Sequence, residues 1–183
     1  MTDWTKEELR LKKNHTWKAP HGYRVFVADR GAVRFNIPQE WVIEPDSDSI
    51  KFYDGKPPDD NSRLACSYIR LPPIDWSGLA LSELIKVATE GDERHLTRSG
   101  EVINKDQADL EVAWADYSFV DPVEKRQAYT RMCIARGSNI QALITLDYWA
   151  EDRGKIEGVW AEVIRSLQLG RYIEDPTIGD IIQ

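Results

Sequence analysis

The strongest constraint in this chain lies near its end. Ile156, Val159, Trp160, Val163, Ile164 and Leu167 recur every three or four residues, the spacing that gathers side chains on one face of an α-helix. The stripe predicts a long helix over about 152–168, with Asp152 as its cap and Gly170 as its stop. Burying six large apolar side chains contributes on the order of 10 kcal/mol gross, at about 2 kcal/mol each. A helix of this kind needs a sheet or another helix to lie on.

The sheet is written just ahead of it. Tyr129–Ala135 and Asn139–Tyr148 alternate in polarity around Arg136-Gly137-Ser138-Asn139, the pattern of a hairpin. The same period of two marks strands at Tyr23–Ala28, Val33–Pro38, Leu64–Ile69, Glu101–Lys105 and Leu110–Val120, with a short segment at Trp41–Ile43 and a weaker strand at Ile50–Tyr53. Leu81, Leu84, Ile85 and Ala88 predict a second helix over about 79–90, capped by Ser77 and ended by Gly91 in the left-handed conformation. Thr5-Lys6-Glu7-Glu8 fits a capping box and predicts a short helix over about 5–13, thin in apolar residues. The expected class is α+β, an α/β/α sandwich with a mainly antiparallel sheet and helices packed on it. Residues 1–21 form an arm or short helix, 22–170 a single domain, and 171–183, which have no period and contain Asp175-Pro176, a tail. The many charges argue for protected sheet edges.

Two short motifs carry a resemblance. Phe35-Asn36-Ile37-Pro38-Gln39-Glu40-Trp41 is similar to the F-x-I-P-x-x-W opening of the PsbP-like superfamily, and Trp160 to Leu169 resembles its closing helix. The likeness spans about residues 22–169 and implies the sandwich named above. The superfamily includes photosystem II extrinsic proteins, Ran-binding import factors, periplasmic lipoproteins and secretion chaperones, most of which act by binding another protein. The resemblance therefore implies a protein partner, although none of the superfamily's partner-contact residues aligns with this sequence. The motif residues also have a mechanical role. Phe35 and Ile37 share one strand face, Pro38 ends the strand and Trp41 folds back on the core.

The chemistry-bearing residues are sparse. His15, His21 and His95 are the only histidines, and no HExxH or paired-cysteine spacing accompanies them. No metal site is expected. Cys66 and Cys133 fall on strand faces among apolar residues, which is where inert buried thiols sit. A thiol enzyme with His95 as base is the competing reading. Acids cluster at Asp46/Asp48, Asp54/Asp59/Asp60 and Asp147/Glu151/Asp152, the first two in open loops where carboxylates stay ionised. Phosphate-cradling and GxSxG motifs are missing, so no cofactor and no catalytic residue is assigned. The formal charge of −7 disfavours nucleic acid. No apolar run reaches the roughly 20 residues of a membrane span. The polar start reads as cytoplasmic.

Among seven tryptophans, Trp114, Trp149 and Trp160 fall in strong strand or helix segments and are expected in the core. Trp4, Trp17 and Trp76 fall in the arm or in loops, where large aromatics often mark partner sites. Trp17, Tyr53 and Trp76 are the partner-binding candidates. The expected function is a non-enzymatic adaptor or chaperone-like protein. It would bind a protein or amphipathic segment through a partly apolar sheet face or the loops near Tyr53 and Trp76. The alternative is a small-molecule-binding module with a pocket between sheet and helix.

Overall fold

A computed structural model describes residues 4–179. The expected period-two segments form strands. β1 (Tyr23–Ala28) and β2 (Val33–Pro38) pair antiparallel through a tight turn at Asp29–Gly31. β3 (Val42–Pro45), β4 (Ile50–Tyr53) and β5 (Ser62–Arg70) follow, and then α1 (Leu81–Glu90). β6 (Thr97–Arg98), β7 (Ile103–Gln107), β8 (Leu110–Val120), β9 (Gln127–Gly137) and β10 (Ile140–Trp149) precede α2 (Arg153–Ser166) and the short β11 (Gln168–Leu169). The large sheet runs β3-β4-β5-β10-β9-β8-β6, with β7 also on β8. The small sheet runs β1-β2-β11. Every pairing is antiparallel, and the class is the expected α+β sandwich.

Two cores flank the large sheet. On one face, α2 and the small sheet bury Phe35, Phe52, Leu64, Ile144 and Leu146, and all six stripe residues of α2 are buried with them. Phe26, Phe35 and Phe52 meet with ring centroids 4.8–5.3 Å apart, which locks the two sheets together. On the other face, α1 lays Leu81 and Ile85 over Ala113, Ala115, Met132 and Ile134 of β8 and β9.

Four local expectations are corrected. Residues 5–13 are not helical. That segment is an extended arm whose backbone bonds go to the far end of the chain, Lys12 N to Thr177 O and Thr16 N to Ile178 O. One capping box cannot hold a helix that has no apolar face to bury. Ser77 is not the cap of α1, because that position belongs to Ala80, and the Ser77 amide donates to Asp75 Oδ1 at 2.9 Å instead. Gly91 has φ −89°, outside the left-handed region. Asp152 stands at the cap of α2 but has helical angles, because a 3-10 turn at Ala150–Asp152 precedes it, and its side chain makes no cap bond. Beyond Gly170 the chain runs against the β1–β2 turn. Arg171 N donates to Gly31 O, Ile173 N donates to Arg30 O, and Ile173 is 3% exposed. Gly31 has φ +111°, and a Cβ there would lie 1.8 Å from Arg171 O, so the crossing requires glycine.

Candidate functional site

The strand registers decide which side chains share the α1 face of the large sheet. Tyr53 of β4 sits opposite Arg63 of β5, which sits opposite Asp147 of β10. Ala65 pairs Thr145 and Ser67 pairs Leu143, with Ile69 opposite Gln141 further along. All of these lie on one face, since residues two apart in a strand point the same way.

α1 covers only part of this face. A helix is 10–12 Å across and strands are spaced about 4.8 Å apart, so one helix shields about two strands. It lies over β8 and β9. On β10, β5 and β4 the same face is left half-buried at Tyr53, Ala65, Ser67, Leu143 and Thr145, and Ile69 is 57% exposed. These three strands, short of the edge strand β3, give an open width of about 14 Å. The floor is small at Ala65, Ser67 and Thr145, which lets another backbone approach closely there, while Lys51, opposite Ala65, is held by Asp46 at the β4 side. The loop from β5 to α1 closes one end, held by Arg136 Nη2 donating to Leu79 O at 3.0 Å.

The other end of the face is a charged pocket of about 320 Å³, lined by Arg63, Arg94, Phe119 and Asp147 among others. Its arginines are already paired. Asp147 accepts from Arg63 at 2.6 Å and from Arg94 at 3.1 Å, and Arg94 also holds Asp92. Burial works against the Arg94 charge, but hydrogen bonds to Asp92 and the charge of Asp147 outweigh it and raise its pKa. The same hydrogen bond from Arg94 lowers the Asp92 pKa. The Arg94 guanidinium lies 4.7 Å from the Phe119 ring centroid.

The three aromatic candidates separate. Tyr53 stands on the open face, and Trp76 is half-buried in the loop leading to α1, its Nε1 donating to Pro72 O at 3.1 Å. Trp17 lies elsewhere. Its Nε1 donates to Pro176 O at 2.7 Å, Gly179 packs on its ring, and the Arg34 guanidinium lies 5.0 Å from its centroid. It pins the arm to the end of the chain. Of the tryptophans expected in the core, Trp160 is buried, whereas Trp114 and Trp149 are half-buried.

Cys66 and Cys133 are buried on neighbouring sides of Ile144. Burial pushes the Cys66 thiol up to about 12 and raises that of Cys133 as well, so both stay protonated at neutral pH. His15, His21 and His95 are all exposed. The acid clusters are tied into local pairs: Asp46 with Lys51, Asp54 with the Asn61 and Ser62 amides, Glu151 with Arg126. The hydrogen bond from Lys51 lowers the Asp46 pKa. Among the described residues no group of three or more His, Cys, Asp or Glu side chains is placed to hold a metal ion.

One polar cluster escaped the sequence reading. Arg131, 4% exposed, binds Asp116 at 2.6 Å and Glu157 at 2.7 Å beneath α2, with the Trp160 ring centroid 5.2 Å from its guanidinium. The signal was present. Arg131 is in phase with Tyr129 and Cys133 on an otherwise apolar strand, so it had to enter the core with a partner.

The same layering recurs in solved structures. Cyanobacterial PsbP (CyanoP) from Synechocystis sp. PCC 6803 matches with a TM-score of 0.58 at 12% identity, covering 82% of this chain and 94% of that one. The Ran-binding protein Mog1p of Saccharomyces cerevisiae matches with a TM-score of 0.53 at 7% identity, covering 80% and 95%. These likenesses define the class, a PsbP-like sandwich. The family is narrower. The Alr1449 family model matches residues 24–173. A Nostoc sp. (strain PCC 7120) relative, "Uncharacterized protein alr1449", is 46% identical over 177 residues, 96% of this chain and 92% of the relative. The chain belongs to the Alr1449 family. No helix among the described residues is long and apolar enough to cross a membrane.

Proposed function

We propose that this protein is a non-enzymatic adaptor or chaperone-like protein of the cytoplasm that docks an amphipathic helix of a partner beside α1. One observation carries the reading: the face of β10, β5 and β4 is left open over about 14 Å, enough for one helix 10–12 Å across. A helix laid there would bury Leu143, Ile69 and the floor at Ala65 and Ser67, with Tyr53 and Trp76 at the rims. This is recognition of a helix in a groove, where a row of apolar anchors supplies most of the affinity.

The test is affinity capture from the native host at near-physiological salt, comparing the wild type with Ser67→Glu. The expected result is a reproducible partner that the variant loses while its melting temperature is unchanged. Recovery of the same partner by the variant, or of none by the wild type, overturns the proposal. The 320 Å³ pocket favours a second reading, a small-molecule site between the sheet and the segment after α1. Its arginines are already paired, which leaves room for a small polar ligand or for one side chain of the docked helix. Ligand carried through purification and detected by native mass spectrometry, then lost in Phe119→Ala, would favour that reading over the adaptor.

A further inference from the structure

A second space lies on the other side of the molecule, between the N-terminal arm and β1. The arm is tied to the body at its two ends. At one end, Trp4 meets Tyr68 edge to face, with centroids 5.9 Å apart. At the other, Lys12 and Thr16 donate backbone bonds of 3.0 and 2.7 Å to Thr177 and Ile178, and Lys12 Nζ lies 2.8 Å from Asp175. In between, a Glu8–Arg24 pair at 3.4 Å spans a groove of about 650 Å³. Every residue of β1 lines it, with Trp4, Leu9, Ile43 and Ile50 among the other walls.

β1 is the terminal strand of the small sheet. Its partner Asn36 points its N–H away from β1, donating to Ser166 Oγ at 2.8 Å. Antiparallel pairing alternates. Val25, opposite Asn36, and Val27 two residues on therefore direct their N–H and C=O groups off the sheet, into the groove. Among the described residues no arm backbone group bonds to them. The edge also carries few of the charges that blunt exposed strands. Arg24 is its sole charge, and its Nη2 is held by Trp41 O at 2.6 Å.

We infer that this groove takes an extended segment of another protein, which adds to β1 as a fourth strand beneath the arm. Six strand residues span about 20 Å, the reach of an extended segment of about six residues. The outward main-chain groups of Val25 and Val27 suit a single extended chain, because a helix bonds its own backbone internally and has none to offer them. The lining sets three carboxylates, Glu7, Glu8 and Asp29, against Lys6 and Arg24. The segment it fits is apolar at alternate positions and uncharged or weakly basic. Main-chain bonds to Val25 and Val27 supply affinity, and the Trp4, Ile43 and Ile50 walls supply selectivity. This site is separate from the open face beside α1, and the failure of either proposal leaves the other standing.

The test pans a displayed library of random heptapeptides on the full-length protein. Enriched peptides are expected to be apolar at every second position, to slow hydrogen exchange at the Val25 and Val27 amides, and to bind Val25→Pro at least tenfold more weakly. Proline there removes an outward donor and no bond within the sheet. Should that variant unfold, N-methylation of alternate peptide amides serves instead and is expected to abolish binding. No enrichment, apolar spacing of three or four, or binding indifferent to both changes overturns the inference. So does strong protection of Val25 and Val27 in the free protein, which would mean the arm itself closes on β1.

Discussion

On the α2 side of the large sheet, Ile144, Leu146 and Cys133 are sealed under a helix and a second sheet, while on the α1 side Ala65, Ser67, Leu143 and Thr145 are half-buried and Ile69 is exposed. The two faces belong to the same strands, so β-propensity does not distinguish them. Coverage does. α2 acts together with the small sheet, whereas α1 works alone and spans about two strands. Stability is therefore concentrated on one face, and the other is left available for recognition.

The largest effect separates the faces by the same truncation. Ile144→Ala, at a fully buried position, is expected to cost about 2–5 kcal/mol in denaturant unfolding. Ile69→Ala is expected to stay within about 0.5 kcal/mol. Equal costs would break the comparison. Next come the arginines. Arg131→Met leaves Asp116 beneath α2 with only Arg153, at 3.1 Å, and is expected to cost about 3 kcal/mol. Arg63→Met on the open face, where the side chain is 43% exposed, is expected to change stability by less than about 1 kcal/mol in the same assay.

A smaller, local effect comes from the clasp between arm and chain end. The hydrogen bonds from Lys12 and Thr177 hold the Asp175 carboxyl at about 2, below its ordinary value. A depressed carboxylate contributes stability fully above its unfolded pKa, and that contribution is lost as pH falls through the folded value. Protection of the Lys12 and Thr16 amides should accordingly fade between about pH 4 and 2, and Asp175→Asn should remove that dependence. Ser67→Glu is placed last for stability, with an expected change within about 0.5 kcal/mol, although it is the variant expected to abolish partner capture.

The α2 stripe and the β9–β10 hairpin were legible because each is a local period: 3.6 residues for one, two for the other, with the turn at Ser138-Asn139 between the hairpin strands. The arm was not, because its backbone partners, Thr177 and Ile178, lie about 160 positions away and no local pattern encodes them. Tyr53 and Trp76 could be chosen as loop-side aromatics, but that both lie toward the α1 side depends on the path of the β5–α1 loop. The open face itself could not be read from periodicity. Ala65, Ser67 and Thr145 alternate as any half-buried strand does, and their exposure follows from which strands α1 reaches. Trp17 shows the converse. It has the same type and a similar loop setting, yet its indole is spent on Pro176 and Gly179.

Hydroxyl-radical footprinting of the protein with its captured partner tests the contrast between the faces most directly. The account predicts protection at Tyr53, Ile69, Trp76 and Leu143, with Trp17 and Tyr172 unchanged. Protection confined to Trp17 and Tyr172, with the four residues beside α1 still reactive, would contradict it.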